Sequence, residues 1–146
     1  MTGPYAALAG NGNRGDGQTS LVYDAATGEL RVDAPADKEL TSINITSDGN
    51  KFLGDKPASL DGAFDNFDQG NLFKATFGGS FGSINFGNVL PANLSELELV
   101  ADLSAVGSLA GGGDLGAVDL IYIPEPSSGI LLILAMLLSG VLKRRR

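Results

Sequence analysis

The chain of 146 residues contains no cysteine, no histidine and no tryptophan. Without cysteine it can form no disulfide, and without cysteine and histidine it lacks the usual ligands of zinc, iron–sulfur and haem centres. The same absences remove the cysteine nucleophile and the histidine acid–base catalyst. We therefore expect a protein that is not an enzyme, has no catalytic residues and needs no cofactor.

Basic residues are scarce in most of the chain and concentrated at its end. Residues 1–128 contain six basic and 17 acidic residues, a formal charge of −11, whereas residues 129–146 carry +4. A protein that binds nucleic acid needs a basic face, so the acidic body argues against nucleic acid as a partner. The charge divides the chain into an acidic body and a short cationic tail.

Residues 1–18 are rich in glycine and asparagine and have no hydrophobic periodicity. We expect a disordered or truncated N-terminal segment. The segment also lacks the basic start and the long apolar run of a signal peptide.

Residues 19–123 predict an all-β domain. Short stretches of alternating or apolar residues recur at a spacing of roughly ten residues, and no long amphipathic helix separates them. This pattern favours an antiparallel β-sandwich or jelly roll. We expect the segments LVYDAATGEL and VDLIYIPE, near the two ends of the domain, to lie side by side. The main predicted strands are Thr19–Tyr23, Glu29–Asp33, Leu40–Thr46, Lys51–Leu53, Leu72–Phe77, Ser95–Leu103 and Ala117–Ile123.

Three local patterns are distinctive. Asp24–Gly28 is typical of a turn between two hairpin strands, because Asp opens turns and Gly accepts a positive φ. Ser95–Leu103 alternates strictly over nine residues, which predicts a half-buried strand. In Leu72–Phe77 the alternation is partial and places Phe73, Ala75 and Phe77 on one side.

The last 23 residues have a different character. Pro124, Glu125 and Pro126 predict an extended, exposed segment. Gly129–Leu142 has no charge and as a helix would be about 21 Å long, short for a hydrocarbon core of roughly 30 Å. The basic residues Lys143, Arg144, Arg145 and Arg146 place the C-terminus in the cytoplasm and the body outside. We predict a single transmembrane helix whose apolar residues are Ile130, Leu131, Leu132, Ile133, Leu134, Ala135, Met136, Leu137, Leu138, Val141 and Leu142.

The order of these parts resembles the PEP-CTERM sorting signal of bacterial envelope proteins. The resemblance covers residues 124–146: Pro124, Glu125 and Pro126 match the recognition motif, the apolar segment matches the membrane helix, and Lys143–Arg146 match the stop signal. It implies export, arrest in the inner membrane and processing by an exosortase, a cysteine transpeptidase. The implied location is the bacterial cell envelope, with the body released to the cell surface after processing. A permanently anchored, uncut single-pass protein is the alternative.

The body is similar to the β-sandwich domains that precede this signal in planctomycete-type secreted proteins, through LVYDAATGEL, INITSDGNKF, INFGNVLP and VDLIYIPEPSS. Those domains look cohesin-like or carbohydrate-module-like. The resemblance implies a non-enzymatic envelope or matrix protein, with a carbohydrate- or calcium-dependent adhesion module as the alternative and extracellular polysaccharide as a partner.

Two further motifs each have a functional interpretation and a simpler, non-functional one. Asp61, Asp65 and Asp68 lie in one acidic loop and are candidate calcium ligands, since calcium binds six to eight oxygens. The loop does not match an EF-hand, and a solvated acidic turn is the simpler interpretation. Asn44–Thr46 and Asn93–Ser95 match the N-glycosylation sequon, which we expect to be inert in a bacterial protein.

Overall fold

The computed structural model describes residues 6–7 and 17–126. Within these ranges the chain forms nine strands and one short helix. The predicted all-β class is therefore confirmed. The elements are β1 Ala6–Ala7, β2 Ser20–Asp24, β3 Glu29–Asp33, β4 Leu40–Ser47, β5 Asn66–Phe67, β6 Asn71–Ala75, β7 Ile84–Asn88, α1 Glu96–Asp102, β8 Leu103–Leu109 and β9 Asp119–Ile123.

The strands form two sheets, with strand orders β1-β8-β4-β6-β5 and β7-β3-β2-β9. Every pair is antiparallel except β2 and β9, which run parallel from Ser20 opposite Asp119 to Asp24 opposite Ile123. The prediction that the two ends of the domain lie side by side is confirmed. The expectation of purely antiparallel sheets is wrong for this pair, because strands joined by a long connection are free to run parallel.

Both sheets contribute alternate residues to one apolar core. In β4, Ile43 and Ile45 are fully buried while Asn44 and Thr46 lie on the opposite face, as the alternation predicts. Leu21 and Tyr23 of β2 enter the same core from the other sheet. The largest fully buried side chains are Tyr23, Phe52, Leu21, Leu30, Leu40, Ile43, Ile45, Leu72, Leu90, Leu99, Leu103 and Leu120.

The predicted turn between β2 and β3 is formed and depends on Gly28. Its N–H donates to the carbonyl of Asp24 at 2.8 Å, and its φ is +79°. A Cβ at this position would overlap the carbonyl oxygen of Leu90, whose N–H donates to the carbonyl of Gly28 at 3.1 Å. Gly28 is thus required both for the backbone conformation and for the close approach of the segment that follows β7.

We predict that Gly28→Ala lowers the free energy of unfolding by more than about 3 kcal/mol, because it adds backbone overlap to the strain of a positive φ. Gly54→Ala is the matched control: Gly54 has φ +81° and open space where its Cβ would lie. The control should lose only about 1–2 kcal/mol. Urea unfolding measures both, and equal losses would contradict the role given to the Leu90 carbonyl.

The predicted strand at Ser95–Leu103 is wrong, because Glu96–Asp102 form α1. The helix begins with a capping box. The Ser95 hydroxyl accepts the N–H of Glu98 at 3.1 Å, and the Glu98 carboxylate accepts the N–H of Ser95 at 2.7 Å. Such a box satisfies two donors that a helix start otherwise leaves unpaired.

Burial along α1 follows the helical period. Leu99 and Asp102 are buried and lie three residues apart, which is the spacing of one helix face, whereas Leu97 is 83% exposed. The Asp102 carboxylate accepts the N–H of Gly49 at 2.6 Å and the hydroxyl of Ser47 at 2.5 Å. These bonds attach the end of the helix to the turn that follows β4.

Other predictions need correction. Lys51–Leu53 form no strand, and Ala6–Ala7 pair with β8 within the segment expected to be disordered. In β6, Phe73 and Ala75 lie on one side as predicted, opposite the buried Leu72 and Lys74, but the strand ends at Ala75 and does not include Phe77. The predicted membrane segment and stop signal lie outside the described residues. Among the described residues, no helix has the length and apolarity to cross a membrane.

Candidate functional site

The ammonium group of Lys74 lies within the acidic loop that contains Asp61 and Asp65. Lys74 of β6 is 7% exposed. Its Nζ donates to Asp65 Oδ2 at 3.1 Å, to Asp61 Oδ1 at 3.2 Å and to the carbonyl of Ser59 at 3.0 Å. The same nitrogen lies 5.7 Å from the ring centre of Phe81. All three donors of the ammonium therefore have oxygen acceptors.

Asp65 is the buried partner of this ion pair. Its carboxylate also accepts the N–H groups of Gly62 at 2.9 Å and Ala75 at 3.0 Å. Burial raises the pKa of Asp65, but the hydrogen bonds from Ala75 and Gly62 and the charge of Lys74 outweigh it and hold the pKa below its ordinary value of 3.8. Burial lowers the pKa of Lys74, but the hydrogen bonds and negative charges of Asp65 and Asp61 raise it by more. The pKa of Lys74 therefore lies above its ordinary value.

The three candidate calcium ligands are not brought together. Asp61 and Asp65 both contact Lys74, whereas Asp68 accepts the N–H of Gly70 at 2.8 Å in its own turn. In residues 17–126 no group of three or more His, Cys, Asp or Glu side chains is placed to hold a metal ion. The positive charge within this loop is supplied by Lys74.

We predict that Asp65→Asn lowers the free energy of unfolding at pH 7 by about 3 kcal/mol, because it leaves the buried Lys74 without its main counter-charge. Asp61→Asn, on a side chain that is 81% exposed, should cost less than about 1 kcal/mol. Because the pKa of Asp65 is lower in the folded state than in the unfolded state, its ionised form stabilises the fold at pH values above the unfolded pKa. The loss in free energy of unfolding caused by Asp65→Asn should therefore shrink as the pH falls below about 4. Urea unfolding between pH 3 and 7 tests this, and a pH-independent deficit would contradict it.

The segment Pro124–Pro126 follows β9 without a linker. Ile123 is the last residue of the β2–β9 ladder, and its carbonyl accepts the N–H of Ala25 at 2.9 Å. All three residues of the motif are exposed, as predicted. Within the described residues β9 is an edge strand, so the motif leaves the sheet at its side.

Two tyrosines form hydrogen bonds to the loop of residues 91–94, which lies beside the motif. Tyr23 and Tyr122 stand opposite each other in β2 and β9, with their rings stacked at 5.8 Å. The Tyr23 hydroxyl donates to the carbonyl of Pro91 at 2.6 Å and accepts the N–H of Leu94 at 3.1 Å. The Tyr122 hydroxyl donates to the carbonyl of Leu94 at 2.7 Å. The loop is therefore fixed to the same strands that position the motif.

The loop brings Asn93 to the motif. Asn93 has φ +66°, and its N–H donates to the carbonyl of Ala25 at 2.8 Å. The Asn93 side-chain amide lies beside the Glu125 carboxylate. In the sequence, Asn93 is recognisable only as part of a sequon that is expected to be inert. The signal for its structural role is that asparagine tolerates positive φ better than most residues.

The surroundings of the motif are acidic. Burial raises the pKa of Tyr122, and the charges of Glu125, Glu96 and Glu98 raise it further. The carboxylates of Glu125, Glu96 and Glu98 therefore all lie close enough to the Tyr122 hydroxyl to affect its ionisation.

An exposed aromatic pair lies on the loops that flank β5 and β6. The rings of Phe64 and Phe77 meet edge to face at 5.0 Å, yet the two residues are 65% and 76% exposed. Phe77, which was expected on one side of a strand, follows the end of β6. Exposed aromatic pairs of this kind are unusual because burial is their ordinary state.

No protein-family model, curated protein or solved structure matches this chain.

Proposed function

We propose that this chain is a non-enzymatic envelope protein, exported and sorted through a C-terminal PEP-CTERM signal. In this proposal the body is a small acidic β-sandwich that remains outside the inner membrane. Residues 130–142 span that membrane, and Lys143–Arg146 stop transfer on the cytoplasmic side. An exosortase-type transpeptidase recognises Pro124, Glu125 and Pro126 and separates the body from the anchor.

The observation that carries the proposal is the exposure of all three motif residues immediately after the last strand. An exposed motif can be reached by an enzyme while the body is folded. Two prolines keep the segment extended and remove two backbone donors, so it does not continue the sheet. The proposal is also supported by the order of the parts in the chain, where the motif is followed by the apolar segment and then by the basic residues.

The short distance between motif and apolar segment agrees with a membrane-embedded enzyme. Only Ser127 and Ser128 separate Pro126 from Gly129. Two extended residues span at most about 7 Å, so a membrane helix that starts near residue 129 keeps the motif at the membrane surface. A soluble enzyme would have less access to a segment between the folded body and the bilayer.

We predict that the mature protein, isolated from a cell that contains an exosortase-type enzyme, lacks Gly129–Arg146. Glu125→Gln should slow this removal because it deletes the motif's charge while keeping its size. Asp61→Asn is the matched control, since it removes an exposed carboxylate of the body. Intact-mass spectrometry of the mature form measures the outcome. A wild-type protein that retains residues 129–146 would refute sorting and leave the permanently anchored alternative.

A carbohydrate-binding module with the same anchor is a second candidate, and the exposed pair Phe64–Phe77 favours it. Aromatic rings present flat apolar faces on which sugar rings can stack, and these two rings are displayed rather than buried.

For this candidate we predict binding on a glycan array by the wild-type chain and its loss, by at least about tenfold in affinity, in Phe64→Ala/Phe77→Ala. Leu53→Ala is the control because Leu53 is another exposed apolar side chain, at 48%. Binding that survives the double substitution, or no binding by the wild type, would exclude the aromatic pair as a sugar site.

A further inference from the structure

We propose that the outer face of the sheet β7-β3-β2-β9 contains a binding pocket for one neutral sugar ring, formed by three polar side chains over an apolar floor. The side chains are those of Arg31, Asp33 and Asn85, and the floor is Val22. The inference rests on the carbohydrate-binding candidate for the function and deepens it. It gives that candidate a binding surface other than the exposed aromatic pair.

The strand register places the pocket on the outer face of this sheet. Val22 of β2 pairs with Arg31 of β3, and Arg31 pairs with Asn85 of β7. Paired residues of neighbouring strands share a side of the sheet, so these three residues form one row across it. Val22 is 2% exposed but does not belong to the apolar core, which its chain neighbours Leu21 and Tyr23 enter from the opposite face.

A pocket with a volume of about 260 Å³ lies along this row. Asp33 and Ser83 line it together with Val22, Arg31 and Asn85. Its volume is below the roughly 300–1,000 Å³ of sites that hold drug-sized ligands. The pocket therefore suits one small ring, and any further units of a chain would extend into solvent.

The hydrogen-bond donors of the pocket are at Arg31 and Asn85. The Asn85 Oδ1 accepts the N–H of Gly87 at 2.7 Å, which orients the amide and leaves its NH₂ group for a ligand. Arg31 Nε is shielded from solvent and lies 3.2 Å from Glu29 Oε1 without forming a hydrogen bond. Because a guanidinium carries five N–H donors, Arg31 can contact Glu29 and a ligand at once.

The hydrogen-bond acceptor of the pocket is Asp33. It follows Arg31 by two residues in β3 and therefore lies on the same face. Its Oδ1 accepts the hydroxyl of Ser83 at 3.1 Å, and the Ser83 oxygen accepts the N–H of Ala34 at 3.0 Å. These bonds hold the carboxylate at the edge of the pocket, where its second oxygen can accept a further donor.

This combination of groups suits a sugar without charge. A sugar hydroxyl both donates and accepts, so one ring can accept from Arg31 and Asn85 and donate to Asp33. Val22 offers an apolar surface to the C–H groups of the ring. Glu29 and Asp33 flank Arg31 on the same face, so an acidic sugar would meet two like charges for one opposite charge.

Binding is tested by NMR on the isotope-labelled full chain in micelles of a detergent that has no sugar headgroup. Glucose, galactose and mannose are titrated separately, with glucuronate as the anionic comparison. For a single ring we expect a dissociation constant on the order of millimolar with at least one hexose. The Arg31 Nε–H and the Asn85 side-chain amide should shift. Glucuronate should bind at least about tenfold more weakly than that hexose.

Two substitutions assign the binding to this pocket. Arg31→Gln removes the guanidinium, and Asn85→Asp keeps the oxygen that accepts the Gly87 N–H but replaces the NH₂ donor. Each should weaken hexose binding by at least about tenfold, and the Tm shows that each variant is folded. Lys51→Gln and Asn88→Asp are the matched controls, because both residues lie outside the pocket, and they should bind like the wild type.

The possible outcomes separate this inference from the proposed functions. Shifts confined to the loops of Phe64 and Phe77, or hexose binding that survives both substitutions, would overturn the pocket and leave the carbohydrate-binding candidate. A wild-type chain that binds no hexose, or binds glucuronate equally well, also overturns the pocket, and the glycan array still decides the role of the aromatic pair. Sorting is measured independently by the mass of the mature protein.

Discussion

The parallel pairing of β2 with β9 is the constraint on which the rest of the described structure depends. It joins the segments near the two ends of the domain in a single register, from Ser20 and Asp119 to Asp24 and Ile123. The Ser20 hydroxyl donates to the Asp119 carboxylate at one end of the ladder, and both groups are buried. Because a hydrogen-bonded register is discrete, the position of Ile123 and of the motif after it is fixed by the folded sheet.

Local patterns explain which parts of the fold could be predicted from the sequence. The β2–β3 turn and the alternation in β4 depend on neighbouring residues, and both predictions are confirmed. The prediction for Ser95–Leu103 was wrong because the alternation of leucines with acidic residues is compatible with a helix that buries Leu99 and Asp102 on one face. The capping pair Ser95 and Glu98, three residues apart, was the available signal for the helix.

The ion pair of Lys74 could not be predicted in the same way. In the sequence Lys74 is a single charge within a short strand, and nothing local marks it as buried. Its environment is created by a loop nine to thirteen residues earlier, which folds back so that Asp65 and Asp61 receive the ammonium. The clustered aspartates were visible and indicated a cation, but sequence spacing cannot distinguish a calcium ion from the chain's own lysine.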